Sequence, residues 1–372
     1  MPKYRIAVLP GDGVGVDVMD AAFVVLDRLA LDAEYIKGEV GWEFWKKEGN
    51  ALPERTVKLM KSCDCTLFGA ITSKPKDEAA KELDPSLKGK GFVYYSPIVK
   101  LRQIFDLYIN MRPCKAFKGN PLNYKDNIDL VVFRENTEGL YSGVEFCPFP
   151  DEIREAVKKH SPKMAKFDFS LDKDIAVSLR IITRRSARRI IRAAFEYARE
   201  NNRHSVTLVE KPNVLRETSG LMRDVFREIQ KEYPEIEHKE ANIDAMMMWL
   251  VKNPENYDVL VTSNLFGDIT SDLSAQLVGG LGFASSANIG DTTALFEPTH
   301  GSAPKYAGKY KVNPIAMLLS VKLMLDYIGE KQMAKRLETA IADVIAEGKV
   351  RTYDMGGNAS TMDIANAIAE RL

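Results

Sequence analysis

Short apolar runs alternate with stretches of helical period along almost all of the 372-residue sequence, and this alternation limits the fold more than any single motif. The runs 5–9, 65–69, 129–133, 205–209 and 257–261 have strand length and are bounded by turn residues. Between them, residues 14–29 place Val14, Val18, Val25, Leu26 and Leu29 on one helical face. Residues 186–199, 220–232, 265–278 and 314–329 read as further helices, and Pro53 suits the first turn of one running to residue 61. Such alternation predicts an α/β fold with helices covering a sheet. Two stretches break the rhythm. Residues 72–92, rich in Lys, Asp and Glu with Pro75, Pro85, Gly89 and Gly91, read as a long exposed loop. Residues 146–173 read as an excursion from a hairpin with legs 142–146 and 175–182. Long loops in compact domains usually carry function or bind partners.

The charges cancel, 52 Lys+Arg against 52 Asp+Glu, which argues against a dedicated nucleic-acid binder. No apolar run approaches the ~18 residues of a membrane span. The N-terminus enters a strand-like segment directly, so no signal peptide is expected. Cys63, Cys65, Cys114 and Cys147 are too few for a disulfide framework in a chain this long, and a cytoplasmic setting is expected. Cys63-x-Cys65 lacks further zinc ligands nearby, and the four His residues show no paired spacing.

Four motifs carry chemistry, each with an ordinary structural alternative. Pro10-Gly11-Asp12-Gly13-Val14-Gly15 lies between a strand and a helix, but its spacing is not GxGxxG. It is either a tight turn or a nucleotide contact. Asp268 and Asp272, four apart on a helix, place two carboxylates on one face. They suit a hard cation such as Mg²⁺ or Mn²⁺, or else form a solvated face. Asp244 heads the apolar run 245–251 and is a ligand candidate or a helix cap. Arg102, Arg112 and Arg134 are suited to bidentate carboxylate binding or to structural ion pairs. Arg134 ends the buried-looking run 129–133, where an unpaired charge is costly. The segment 297–308, followed by Val312-Asn313-Pro314, is a Gly/Pro-punctuated loop offering backbone N–H groups, His300 and Lys305 to an anion. The arginine-rich stretch 180–192 reads as a solvated helix face, without the interleaved aromatics of a nucleic-acid platform.

Together these motifs resemble the isocitrate/isopropylmalate dehydrogenase family, the metal-dependent β-decarboxylating dehydrogenases. The resemblance covers nearly the whole chain. It rests on Pro10–Gly15, Leu101-Arg102-Gln103, Leu107-Tyr108, Arg112-Pro113, the run 134–141, Lys211-Pro212-Asn213, the aspartate helix, and the run from Gly290-Asp291-Thr292 through Gly308 and Asn313-Pro314. It implies a non-Rossmann fold: a large α/β domain from 1–107 and 279–372, and a small one from 108–278 with a clasp-like segment at about 139–183. It implies a homodimer with shared active sites and demotes the Gly11-Asp12-Gly13 turn as a nucleotide loop. It further implies Asp268 and Asp272, with Asp244 from the partner subunit, as metal ligands. Ser96, Arg102, Arg112 and Arg134 would hold substrate carboxylates. Lys211, also from the partner, would be the base on the hydroxyl, and Tyr141 the acid at the enol carbon. Thr72, Asn213, Glu297, His300, Gly301, Lys305, Tyr306, Asn313 and Tyr353 would contact the dinucleotide.

Lys305-Tyr306 and Tyr353 resemble NADP-using members, whereas NAD users carry Asp-Ile at the first pair; the arginine expected four residues after Tyr353 is Gly357. NADP is therefore expected over NAD. Ser96 matches the isocitrate enzymes, while Ile98 stands where they carry Asn. Val99 lacks the Arg that homoisocitrate enzymes can carry there, although the run 139–141 and the C-terminal half look close to them. The expected substrate is isocitrate, ahead of homoisocitrate, 3-isopropylmalate and other malate-type acids. A non-catalytic subunit of a heteromeric enzyme and a nucleic-acid role through 180–192 are the rivals from other classes.

Overall fold

A computed structural model describes residues 2–167 and 175–372; residues 168–174, within the expected excursion and clasp-like segment, lie outside the described residues. The strands are β1 (Tyr4–Gly11), β2 (Ala33–Lys37), β3 (Cys65–Ala70), β4 (Ile109–Lys115), β5 (Asp129–Glu135), β6 (Glu145–Phe146), β7 (Val177–Ser178), β8 (Ser205–Glu210), β9 (Glu237–Asn242), β10 (Val259–Thr262), β11 (Ser285–Ile289) and β12 (Ala294–Pro298). Ten of them form one sheet in the order β2-β1-β3-β12-β11-β4-β5-β10-β8-β9. Pairing is parallel toward both edges and antiparallel across β12–β11–β4–β5. The expected α/β class is therefore observed, as one mixed sheet with helices packed on it.

Both chain ends build one half. Helices Val14–Leu29, Ile315–Tyr327, Lys331–Glu347 and Thr361–Ala369 pack on β1, β3, β11 and β12 around Leu67, Phe296 and Ile341. The middle of the chain builds the other half, with helices Arg184–Glu200 and Thr218–Ile229 on β5, β8 and β10 around Phe133, Phe195 and Val261. The buried run Leu130–Val131–Val132–Phe133 explains why β5 is legible in sequence. Strand β9 was not, because its residues are polar and lie on an exposed edge. Strand β4 carries Pro113, which argues against an interior strand. The ladder with β11 ends at Met111, so Pro113 never has to donate to it.

Residues 72–92 differ from the expected exposed loop. They contain helix Lys76–Lys81, and Ala79 and Leu83 are buried against Trp42, Trp45 and Tyr94. Trp42 Nε1 donates to Glu82 at 2.7 Å and Trp45 Nε1 to the Ala79 carbonyl at 2.9 Å. Indole burial against sparse apolar residues outweighs the segment's high charge. The expected hairpin excursion is present as the short β6–β7 pair, with helix Asp151–His160 between its legs.

Most of the arginine stretch 180–192 is the expected solvated face, with Arg184, Arg185 and Arg188 about half exposed or more, but its side chains are paired. Arg184 and Arg188 pair with Glu228 at 2.6 and 2.9 Å, and Arg192 with Glu232 at 2.9 Å. Arg189 chelates Asp106 and lies over the Tyr108 ring, and Arg180 is turned inward. The acidic face of the neighbouring helix, remote in sequence, neutralises the stripe. Among the described residues no helix is long and apolar enough to cross a membrane.

Candidate active site

The site lies where the antiparallel centre of the sheet meets helix Asn264–Gln276. Register places Asn110 of β4 opposite Arg134 of β5 and Arg112 opposite Val132, so both guanidinium groups leave one face of neighbouring strands. Gly267 lets that helix approach: a Cβ there would sit 2.6 Å from the Arg134 side chain. Arg102 comes from helix Pro97–Ile104, started by Pro97 in its first turn.

The three arginines are buried and converge on the aspartate helix. Arg134 pairs with Asp268, and Tyr141 donates its hydroxyl to the other oxygen of the same carboxylate. Arg112 lies 3.6 Å from Asp268 and 3.3 Å from Asp272, and donates to Ser271 at 2.7 Å. Arg134 also donates to Asn264 at 2.9 Å and stacks over the Tyr141 ring. Arg102 pairs with Glu297 at 3.1 Å.

Burial, then the proximity of Arg112 and Arg102, pushes the Arg134 guanidinium down to about 10. Burial also lowers Arg102, against the pull of Glu297. Burial alone would raise the Asp268 carboxyl, but Arg134, the Tyr141 hydroxyl and Arg112 outweigh it and hold it below its ordinary range. Asp272 goes the other way, because burial, aided by the charge of Asp268, exceeds the help from Arg112. Burial, with the bond to Asp268, keeps the Tyr141 phenol protonated beyond its usual value.

Beneath the arginines lies a buried amide network absent from the sequence expectations. The Asn288 carbonyl oxygen accepts from Arg102 at 2.9 Å, Asn110 at 2.7 Å and Asn136 at 3.0 Å. Its amide donates to Glu297 at 2.8 Å. One side chain thus fixes Arg102 and Glu297 together, and the available signal was an Asn inside the otherwise small, buried strand β11.

Lys211 and Asp244 are paired with each other, at the end of β8 and the start of helix Ile243–Lys252. The Lys211 contact holds the Asp244 carboxyl below its ordinary range. Asn213 follows Lys211 in a turn closed by the Val214 N–H to Lys211 carbonyl bond of 3.2 Å. Among the described residues no hydrogen bond or ion pair joins Lys211 or Asp244 to Asp268 or Arg134. Within one chain, then, Lys211 and Asp244 form a pair of their own, apart from the arginine cluster.

Among the described residues no group of three or more His, Cys, Asp or Glu side chains is assembled for a metal within one chain. Asp268 and Asp272 offer hard oxygen donors on one helix face, and the Asp272 side chain is 64% exposed. That donor set fits half of a divalent-cation site.

The Gly11-Asp12-Gly13 segment is a tight turn. Gly11 has φ +75°, and a Cβ there would lie 2.0 Å from the Ala70 carbonyl oxygen. Asp12 accepts from the backbone N–H of Trp42 at 2.7 Å and of Thr72 at 2.8 Å. The Thr72 and Ser302 hydroxyls meet at 2.7 Å, so the turn seats both loops. Asp17, also unforeseen, accepts from the N–H groups of Gly308 and Tyr310 at 3.1 Å each and anchors the 300–313 loop to helix Val14–Leu29.

In that loop Nε2 of His300 is buried without a partner, and burial keeps the ring neutral below its usual range. Gly301 and Gly308 border open space. Tyr306 and Tyr353 stack with centroids 5.9 Å apart, and Lys305 lies over the Tyr306 ring. Asn313 donates to Asp354 at 3.1 Å. Glycine at 357 has a local cause: a Cβ there would lie 2.1 Å from the Arg351 carbonyl oxygen. Ser96 precedes helix Pro97–Ile104 with its hydroxyl unused as a cap, while Ile98 packs with Leu101 and Leu107.

A family model described as isocitrate/isopropylmalate dehydrogenase matches residues 5–368. Homoisocitrate dehydrogenase of Methanocaldococcus jannaschii is 44% identical over 373 residues, covering 98% of this chain and 96% of that protein. 3-Isopropylmalate dehydrogenase of Methanothermobacter thermautotrophicus is 43% identical over 372 residues, 100% and 99% of the two chains. Protein DlpA of Legionella pneumophila is 42% identical over 98% of this chain, which spans 58% of that protein's length. The crystal structure of isocitrate dehydrogenase from Methylococcus capsulatus matches with a TM-score of 0.85 at 39% identity, covering 99% of each chain.

Proposed function

Because this chain belongs to the isocitrate/isopropylmalate dehydrogenase family, we propose that it is an NADP-dependent, Mg²⁺- or Mn²⁺-dependent isocitrate dehydrogenase working as a homodimer. The observation that carries this reading is the convergence of Arg112 and Arg134 on Asp268, Asp272 and Tyr141, with Arg102 near enough for its charge to act on Asp268. In this reading the large domain comprises 1–107 and 279–372, and the small domain 108–278. Met248 and Val251 on helix Ile243–Lys252, and Ile269 on the helix packed beside it, are exposed apolar residues that favour a second copy there.

The arginines bind the substrate carboxylates, and their present partners explain how that binding is linked to metal. Asp268 and Asp272 neutralise Arg134 and Arg112 in the free chain. Asp268 and Asp272 would hold the cation, which would leave the Arg134 and Arg112 guanidinium groups for the substrate carboxylates. When bound, the cation supplies Lewis acidity at the substrate oxygens. Lys211, held by Asp244, reaches the partner's site and removes the hydroxyl proton. Glu297 and Asn213 orient the nicotinamide for hydride transfer. After loss of CO₂, Tyr141 gives its phenolic proton to the enol carbon; its protonated state and its bond to Asp268 suit that role. Lys305, Tyr306 and Tyr353 bind the 2′-phosphate end, and Thr72, His300, Gly301 and Asn313 line the rest of the dinucleotide.

Homoisocitrate or 3-isopropylmalate is the second reading, favoured by exposed Val93 and Tyr95 beside Ser96. Steady-state kinetics with the three acids, each with NAD⁺ and NADP⁺, separates the readings. Isocitrate with NADP⁺ should give the highest kcat/KM; 3-isopropylmalate with NAD⁺ in first place would overturn both assignments.

A further inference from the structure

Arg180 opens the arginine stretch, yet its side chain is turned inward and is 13% exposed. It sits just after β7, in a leg tied to Gly139 by the Gly139 N–H to Ile181 carbonyl bond of 2.8 Å. Arg180 pairs with the fully buried Glu210 at 3.0 Å. It also donates to Thr218 at 2.6 Å, Ser219 at 3.0 Å and Ser263 at 2.7 Å. Glu210 accepts from the Ser219 hydroxyl at 2.5 Å and the Ser263 N–H at 2.9 Å. These partners flank the chemistry. Glu210 precedes Lys211, whose N–H donates to Ser219 at 3.3 Å, and Ser263 precedes the helix carrying Asp268 and Asp272.

We propose that Arg180 is a positioning residue that fixes the Lys211 turn against the start of the aspartate helix. It thereby couples the lysine a protomer lends to its partner with that protomer's own carboxylates and Tyr141. This rests on the reading of Lys211 as a base supplied in trans. A guanidinium is required because four donors on the two terminal nitrogens of a rigid fork meet a carboxylate and three hydroxyls at once, which an ammonium group with three donors cannot do. Removing the fork frees the backbone on either side of Lys211 while leaving the substrate-binding arginines in place.

The test uses the full-length protein. Arg180→Lys should lower kcat about 10- to 100-fold, the scale of a small misplacement of a reacting group, with KM for the hydroxy acid unchanged. Glu210→Gln, which keeps the shape, should do the same and serves if Arg180→Lys does not fold. A lowered Tm with unchanged kcat in the folded variant would make the pair merely structural and overturn the proposal. Mixed dimers then locate the effect. A Lys211→Ala chain paired with a Tyr141→Phe chain should recover one working site, which establishes supply in trans; no recovery would sink that reading itself. With recovery established, a Lys211→Ala chain is paired with an Arg180→Lys chain. The one complete site then takes its lysine from the Arg180→Lys chain and its carboxylates from the other. Slow turnover there supports the proposal, and a wild-type rate overturns it.

Discussion

Two groups of arginines in this chain behave in opposite ways. Arg184, Arg188 and Arg192 lie on an exposed helix face, each against a glutamate of the neighbouring helix. Arg102, Arg112 and Arg134 are buried together, close enough that Arg112 disfavours the charge of the other two, and share the carboxylates of Asp268, Asp272 and Glu297. The first arrangement is complete as it stands. The second draws its counter-ions from Asp268 and Asp272, the carboxylates we propose as cation ligands, and from Glu297. Burial, rather than residue type, separates a surface ladder from a binding site.

Breaking the buried group should have the largest effect. Arg134→Leu leaves Asp268 without its closest partner and should cost about 3–5 kcal/mol of stability, with turnover lost. Thermal unfolding and kinetics on the same sample check this. Tyr141→Phe keeps the ring under Arg134 and removes the hydroxyl with its proton and its bond to Asp268, so turnover should fall at least about 100-fold with a modest change in Tm. Hydride transfer and CO₂ loss that outpace proton uptake at the enol carbon, so that the enol accumulates, would identify the step; equal loss in hydride transfer would remove Tyr141 from the acid role.

The difference between the groups also marks what sequence can convey. The α/β alternation, β5 and the aspartate helix were legible because apolar periodicity is local. Asp268 and Asp272 could be placed on one face from spacing alone. The meeting of Arg102 with Asn288 and Glu297 could not, since it depends on strand order across a sheet joining distant segments. The same holds for Glu228 and Glu232, whose pairing with the arginine stripe is set by helix packing. The packed 72–92 segment was missed because two tryptophans supplied from 42–48 outweigh its own charge.

The nucleotide end offers a test of intermediate size. Lys305→Asp with Tyr306→Ile places an anion where a 2′-phosphate would lie. The ratio of kcat/KM for NADP⁺ to that for NAD⁺ should fall roughly 100-fold, about 2.8 kcal/mol. An unchanged ratio would locate the 2′-phosphate elsewhere. Acid titration gives a smaller signal. The folded-state value of Asp268 is depressed, so its contribution to stability is present above its unfolded value and is lost as pH falls through the folded one. Asp272, raised by burial, has the opposite sign: its ionisation costs stability as pH rises through its folded value. Asp268→Asn should therefore flatten the fall in Tm below about pH 4, whereas Asp272→Asn should act above about pH 4, where it removes the gain in stability that protonation of Asp272 brings as pH falls. Parallel Tm–pH curves for both variants and the wild type would contradict these assignments.

The smallest effect belongs to the exposed ladder. Arg184→Ala removes one of two arginines on Glu228, and Arg188 remains 2.9 Å away to hold it. Both arginines are about half exposed, so water and salt screen the pair, and the loss should be below about 1 kcal/mol and shrink further at high ionic strength. Turnover should be unchanged, because neither residue touches the groups converging on Asp268. A loss as large as that of Arg134→Leu would mean that the helix face carries strain or a partner that the ion pairs conceal, and the contrast between the two arginine groups would fail.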